Sequence, residues 1–308
     1  MKTAFLYAGQ GSQSVGMGRD LYEEFPEFRE TVDSVSLSFD ARKLMWEGPQ
    51  ELLMQTRYTQ PCMAIFAAGV TEILRKNGLL PDMAGGLSLG EYGALYAAGV
   101  WDRDTYIKIT EFRGRAMQEA AEGKHTAMSA ILGMSAAQVE DACRDCAPVG
   151  FVRPVNYNCP GQYVICGEEA AVAAAETLLK EKGMKRAIRL KVSAPFHTGL
   201  LQPAADALAG YFKEIAFRKP QIPVALNLTG GFYREDMDLK EILEKQAKSS
   251  VRFEEDLRAM IEAGATRFIE IGPGNALTGF LKKTAKAMNA EVECCSIQTA
   301  EDLCRLIG

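Results

Sequence analysis

The chain has 308 residues, 47% of them hydrophobic and 24% charged, with a formal net charge of −5. That length suits one large α/β domain, or a large one carrying a smaller body, and the acidic balance speaks against a nucleic-acid binder, which needs a basic field. The apolar run 3–8 is too short for a signal peptide and no later run would span a bilayer, so a cytoplasmic protein without membrane attachment is expected.

Residues 3–8 read as a buried strand ending in the turn Gly9-Gln10-Gly11-Ser12-Gln13. In open α/β sheets, ligands bind where loops leave the carboxyl ends of strands, so this turn is a candidate pocket wall. The spacing Gly9-x-Gly11-x-x-Ser14 lacks the third glycine of a dinucleotide fingerprint, as does Gly272-Pro273-Gly274 after the strand pattern 267–271. Thr59-Gln60-Pro61 carries start signals for a helix over 62–76, which Asn77-Gly78 stops. Gly86-Leu87-Ser88-Leu89-Gly90 is then the nucleophile-elbow pattern, a strained strand-to-helix turn that presents a serine hydroxyl. Its lead-in strand, near 82–85, is short and poor in β-formers, and a plain glycine-rich turn is the other reading. Gly90, Gly93, Ala94 and Ala97 fall at helical spacing and leave a bare face that allows close approach to a sheet.

A helix over 104–119 puts Tyr106, Ile109, Met117 and Ala120 on one face with Arg113 at its centre. A guanidinium on a core-facing stripe must be paired, either with a protein carboxylate or with the carboxylate of a bound substrate. Segments 126–132, 136–146, 151–157, 162–166, 169–182 and 187–192 read as strand, helix, strand, strand, helix, strand, the order of a ferredoxin-like unit. Within it Cys143-x-x-Cys146 has metal-ligand spacing but stands alone in a helical pattern, so two ordinary helix cysteines are expected and no metal. The eight cysteines as a set read as reduced thiols. Glu122-Gly123-Lys124 and Ser193-Ala194-Pro195 would be the crossings between the two bodies. There are two histidines, His125 at the first crossing and His197 just past the second, so an imidazole base for Ser88 would be one of these. His197 has the drier context, although position alone does not choose. Helical pattern at 203–212, strand at 223–228, helices within 238–260 and a last strand at 290–297 complete the α/β pattern.

Gly9-Gln10-Gly11-Ser12-Gln13, Thr59-Gln60-Pro61, the run from Gly86 to Glu91, Arg113-Gly114, Asn156, Ser193-Ala194-Pro195-Phe196-His197, Gln246 with Val251, and Gly272-Pro273-Gly274 occur in one order. In that order, over essentially the whole chain, the sequence resembles the malonyl-CoA:acyl-carrier-protein transacylases of bacterial fatty-acid synthesis. The resemblance implies an α/β fold with a large α/β-hydrolase-like subdomain, residues 1–124 and 195–308, and an inserted ferredoxin-like (βαββαβ) small subdomain, residues 125–194. It implies that Ser88 attacks the thioester of malonyl-CoA, with His197 taking its proton and returning it to the departing thiolate. The phosphopantetheine thiol of holo-acyl carrier protein would then collect the malonyl group. No bound cofactor is implied.

By the same resemblance, the backbone carbonyl of Gln246 holds the imidazole in place of an aspartate, and the backbone N–H groups of Gln10 and Leu89 form the oxyanion hole. Arg113 binds the malonyl carboxylate, Gln60 and Asn156 line the pocket, and Phe196 goes with enzymes that exclude a methyl branch. Leu87 departs from the histidine usual before the nucleophile, and Ala8 and Ser250 stand where prolines are usual. These leave nucleophile, base and clamp intact. A serine esterase or thioesterase would use the same elbow and pass the acyl group to water, and a carrier-binding module with a decayed site is the non-catalytic alternative. Carrier proteins are acidic, so docking on this acidic chain needs local positive charge. Lys185, Arg186, Arg189 and Lys191 on the small unit, and Lys282, Lys283 and Lys286 on the large one, are the candidates. A monomer is expected.

Overall fold

The computed structural model describes residues 1–190 and 194–308. Lys191, the end of the expected strand 187–192, and Ser193 of the second crossing lie outside the described residues. The elements run β1 (Lys2–Tyr7), α1 (Arg19–Glu24), α2 (Pro26–Ser34), α3 (Ala41–Glu47), α4 (Gln50–Leu53), α5 (Thr56–Lys76), β2 (Met83–Gly86), α6 (Leu89–Ala97) and α7 (Arg103–Ala121). There follow β3 (Thr126–Leu132), α8 (Ala136–Asp145), β4 (Val152–Cys159), β5 (Gln162–Glu168), α9 (Glu169–Glu181) and β6 (Arg186–Arg189). The chain ends with α10 (Gln202–Lys213), β7 (Ala225–Leu226), β8 (Gly231–Phe232), α11 (Leu239–Lys248), α12 (Phe253–Glu262), β9 (Ala265–Ile271), α13 (Ala276–Met288), β10 (Glu293–Ile297) and α14 (Ala300–Ile307).

The large sheet is parallel, in the order β10-β9-β1-β2. Its central strands are apolar on both faces because helices cover both, so Ala4, Phe5, Leu6 and Tyr7 are all buried. The register sets Tyr7 level with both Gly86 and Ile271. Three strands therefore end side by side, and the loops that leave them carry Gln10, Ser88 and Gly272. Ser88, on the loop that leaves β2, therefore sits beside the Gln10 loop of the middle strand β1, at the carboxyl edge of the sheet.

The second sheet is antiparallel, in the order β4-β5-β3-β6, which is the ferredoxin-like arrangement expected. Period-two alternation gives it two apolar faces. Ile131, Val152 and Ile165 pack under α8 and α9, whereas Met128, Ala130 and Val164 face the other way, towards Phe196 and Leu190. Cys143 and Cys146 belong to the helix-covered core, and burial pushes the Cys143 thiol up to about 12. Edge strand β4 is joined to the large body: Tyr157 N–H donates to Val251 O, and Val251 N–H donates to Val155 O, both at 2.8 Å. That seam fixes one side of a cleft between the two sheets.

Three expectations shift. The helix signalled at Pro61 begins at Thr56, and Pro61 lies inside it. Tertiary bonds hold this extra turn: Arg57 N–H donates to Gln118 Oε1 and Thr59 Oγ1 to Leu53 O. The strand expected over 223–228 contracts to two residues, because the chain turns at Thr229-Gly230 and pairs back on Gly231–Phe232. The last strand of the small unit is described over Arg186–Arg189 only. Among the described residues, no helix is long and apolar enough to cross a membrane.

The bare face of α6 packs as its composition demands. A Cβ at Gly90 would overlap the Tyr7 carbonyl oxygen, and one at Gly86 would overlap the Gly90 backbone. Gly90→Ala should destabilise by about 3 kcal/mol or more, the upper end for overpacking. Gly210→Ala, in exposed α10 with open space around it, should instead stabilise by about 0.5–1 kcal/mol. Thermal melts of the two variants check this, and equal effects would contradict the close-approach argument.

Candidate active site

Ser88 stands between β2 and α6 at φ 54°, ψ −101°, a conformation that L residues avoid. Such strain, of order 1–3 kcal/mol, persists only where surrounding contacts impose it. Here Leu87 N–H donates to Tyr7 O at 3.1 Å, and Ser88 N–H donates to Asn227 Oδ1 at 2.6 Å. The hydroxyl is thereby held at the floor of a cleft of about 310 Å³ between the two sheets.

His197 closes one side. It too has positive φ, at 60°, and it is 3% exposed. Its Nδ1 lies 3.0 Å from Gln246 O, and its Nε2 lies 2.8 Å from Ser88 Oγ. A carbonyl only accepts, so Nδ1 carries the proton and the Nε2 lone pair faces the hydroxyl. Gln246 is in the last turn of α11, where carbonyls carry the negative end of the helix dipole, so a carbonyl there supports an imidazolium without a carboxylate. Burial, with the neighbouring charge of Arg113, holds the imidazole down at about 4. His125 is exposed and lies outside the cleft. The choice between the two histidines is thus made by geometry.

Arg113, on α7, is 1% exposed and points into the cleft. It donates to Gln60 Oε1 at 2.9 Å, to Gln246 Oε1 at 3.1 Å and to Ser88 Oγ at 3.2 Å, and it lies over the Tyr92 ring. These partners are neutral, Nε has none, and no carboxylate pairs with the guanidinium among the described residues. The protein-carboxylate reading of this buried charge is therefore set aside. A positive group buried among neutral amides is a receptor for an anion.

Gln10 and Leu89 both line the cleft, and their backbone N–H groups donate to no protein acceptor among the described residues. Leu89 N–H is additionally at the N-terminus of α6, where the dipole favours negative charge. Gln60, Asn156 and Phe196 line the same cleft, as does Leu87, whose side chain joins the apolar cluster of Phe253 and Phe280. Ala8 fits beside Gly272, where a Cβ would overlap it. Ser250 Oγ donates to Pro154 O at 2.9 Å, adding to the seam with β4.

Sequence reasoning missed the polar core under the elbow. Glu91, Asn227 and Asp256 are fully buried there, and Asn158 joins Asn156 on the cleft wall. Glu91 closes the elbow motif and so was visible without a role. Asn227, between two leucines ahead of a Thr-Gly-Gly turn, gave only the weak signal of a polar residue in an apolar strand.

A serine, an imidazole base, two free N–H groups and an unpaired guanidinium around one cleft define an acyl transferase site. The family model for the acyl transferase domain matches residues 4–301. The malonyl CoA-acyl carrier protein transacylase of Bacillus subtilis is 40% identical over 290 residues, covering 93% of this chain and 92% of the relative. The crystal structure of the Clostridium perfringens malonyl CoA-acyl carrier protein transacylase superposes with a TM-score of 0.94 at 39% identity, covering 100% of this chain and 96% of that one. A malonyl-transacylase in complex with a type II PKS acyl-carrier protein superposes equally well, TM-score 0.94 at 35% identity, covering 100% and 99%. The chain belongs to the acyl transferase family, in its malonyl CoA-acyl carrier protein transacylase branch.

Two pH dependences follow. With the imidazole at about 4 against its ordinary 6.5, acylation by malonyl-CoA should stay level as pH falls through 6.5 and fade only on approach to 4. The pH profile of kcat/KM reads this directly, and an acid limb centred at or above 6.5 would contradict it. Burial also pushes Glu91 from 4.5 up to about 7. The folded chain then keeps a proton that the unfolded chain releases between those values, so this group's contribution to stability falls as pH rises through them. Glu91→Gln should gain stability relative to the parent between pH 4.5 and about 8 in denaturant melts, and a constant difference would refute the assignment.

Proposed function

We infer that this protein transfers a malonyl group from malonyl-CoA to the phosphopantetheine thiol of an acyl carrier protein through a malonyl ester on Ser88. The observation that carries the reading is the position of Ser88 Oγ, 2.8 Å from a base and 3.2 Å from the one guanidinium in the site. In the first half-reaction Ser88 Oγ attacks the thioester carbonyl as its proton passes to His197 Nε2. Negative charge on the carbonyl oxygen is met by the N–H groups of Gln10 and Leu89, while Arg113 grips the distal carboxylate. Collapse expels the CoA thiolate, which takes the proton from His197. In the second half-reaction the carrier's thiol gives its proton to His197 and attacks the ester, and Ser88 leaves with that proton. Thiol and ester exchange balances without a resident cofactor.

A hydrolase reading needs water to reach the ester ahead of the thiol. The largely apolar walls, with Leu87, Met128, Val164 and Phe196, work against that. Phe196, wedged between Met117 on α7 and the small sheet, supports selection of an unbranched malonyl unit. The domain reading, residues 1–124 with 195–308 and residues 125–194, follows the two sheets, and we take the protein as a cytoplasmic monomer. For the carrier's acidic surface, Lys282 and Lys283 are the favoured contacts. Lys283 donates to Gln162, a residue of the cleft wall, at 3.3 Å. Arg189 is a weaker candidate than its charge suggested, because Glu169 and Glu176 already bind it.

Arg113→Ala should depress malonyl transfer by about 100-fold or more, since a buried charged pair is lost, and should affect acetyl transfer far less. Equal losses would remove the clamp role. Charge reversal at Lys282 and Lys283 should raise the carrier's KM several-fold with little change in release of free malonate to water. A matched change in both would place docking elsewhere.

A further inference from the structure

The nucleophile's own peptide groups have unusual partners. At an ordinary helix N-terminus the capping residue's N–H meets solvent or strand backbone. Here the N–H of Ser88 turns towards the segment that runs beside β2 and ends at Asn227. Asn227 Oδ1 accepts from it at 2.6 Å. On the other side of Ser88, the carbonyl accepts from Gln246 Nε2 at 2.8 Å. These two side chains lie 139 and 158 residues away in sequence.

The orientation of each amide is determined. Asn227 Nδ2 donates to Gly86 O at 2.8 Å, and that carbonyl can only accept, so Oδ1 must be the atom facing Ser88. Its second Nδ2 proton goes to Asp256 Oδ2 at 2.8 Å. Gln246 Oε1 accepts from Arg113, so Nε2 faces Ser88 O. Both residues are then tied to one carboxyl: Glu91 Oε2 accepts from Asn227 N at 2.7 Å and from Gln246 Nε2 at 3.4 Å.

We propose that Asn227 is a positioning residue for the acylation step, its Oδ1 and the Gln246 side chain together clamping the backbone of Ser88, with Glu91 setting the register between them. Ser88 is held at φ 54°, ψ −101°, and relaxation of either flanking peptide turns the Cα–Cβ bond and carries Oγ away from His197 Nε2. Asn227 does not line the cleft. It touches neither substrate nor the reacting atoms, and it acts only through the elbow. Loss of Asn227, which does not touch Arg113, should therefore slow chemistry while leaving the grip of Arg113 on malonyl-CoA unaltered.

This rests on Ser88 being the nucleophile. If that were wrong, the parent enzyme itself would show no malonyl burst, whereas failure of the present proposal would show as a normal burst in the variants. The test uses two full-length variants in single-turnover acylation with malonyl-CoA, and measures the malonyl-CoA dissociation constant of each on a Ser88→Ala background. Asn227→Leu keeps the volume and removes every polar atom. Its acylation rate constant should fall by about 100-fold, the scale of loss for a misplaced reacting group, with the dissociation constant within about twofold of the Ser88→Ala parent. Asn227→Asp keeps an oxygen towards Ser88 but sets another against Gly86 O and Asp256, so its rate should fall between the parent and Asn227→Leu. A lowered melting temperature with parent-like acylation per folded molecule would make Asn227 merely structural and overturn the proposal. So would a rate loss matched by an equal loss of binding. Should Asn227→Leu fail to fold, Asn227→Ala, which also removes Oδ1, replaces it and is read by the same two constants: parent-like acylation, or a rate loss matched by a binding loss, would overturn the proposal.

Discussion

The hydrogen bond between Ser88 Oγ and His197 Nε2 joins two residues that both sit at positive φ. It exists because the backbone on each side is prevented from relaxing. Under Ser88 the constraint is steric and polar together: glycines at 86 and 90 let α6 press against β1, and side-chain amides take up the peptide groups that the elbow turns inward. Around His197 the ring is held by Gln246 O, and the neighbouring Thr198 hydroxyl donates to Pro195 O. The parallel sheet supplies the edge at which the serine is presented, and the antiparallel sheet supplies the wall against which a substrate is held.

Charge is arranged with equal economy. A carboxylate behind the histidine would lie close to Arg113 and pair with it, cancelling its buried positive charge. A main-chain carbonyl orients the imidazole without adding a formal charge, and Gln60 and Gln246 orient the guanidinium in the same neutral way. The nearest acids, Glu91 and Asp256, are shifted upwards by burial and face each other across Asn227 rather than reaching the cleft. Arg113 is thus left uncompensated until an anion arrives. Burial first, and this guanidinium second, depress the histidine and keep it a free base at neutral pH.

Much of this was legible in the chain because it rests on local sequence signals. The elbow glycines, the misplaced arginine on an amphipathic stripe and the βαββαβ order each have a short-range signature, and each is found where expected. Spacing alone did not choose between His125 and His197, and the family resemblance named His197, the histidine that the structure sets against Ser88. The start of α5 was not legible, because contacts with Gln118 and Leu53 carry the helix a turn and more beyond its proline. The polar core of Glu91, Asn227 and Asp256 was missed for a related reason. Its members come from three separate elements, and each alone resembles an ordinary buried polar residue. The fold brings Glu91 and Asp256 onto Asn227, and Asn227 onto the strained Ser88 peptide. The pairing of Arg189 with Glu169 and Glu176 was likewise not legible, since it joins β6 to α9.

The most direct test of the account is to mix the protein with malonyl-CoA in the absence of carrier, quench in acid within a turnover, and map the adduct by peptide mass spectrometry. The account predicts one malonyl group per chain, on Ser88, that is discharged when holo-carrier protein is added before the quench. An unmodified Ser88 peptide, or an adduct on any other residue that the carrier discharges, would contradict it.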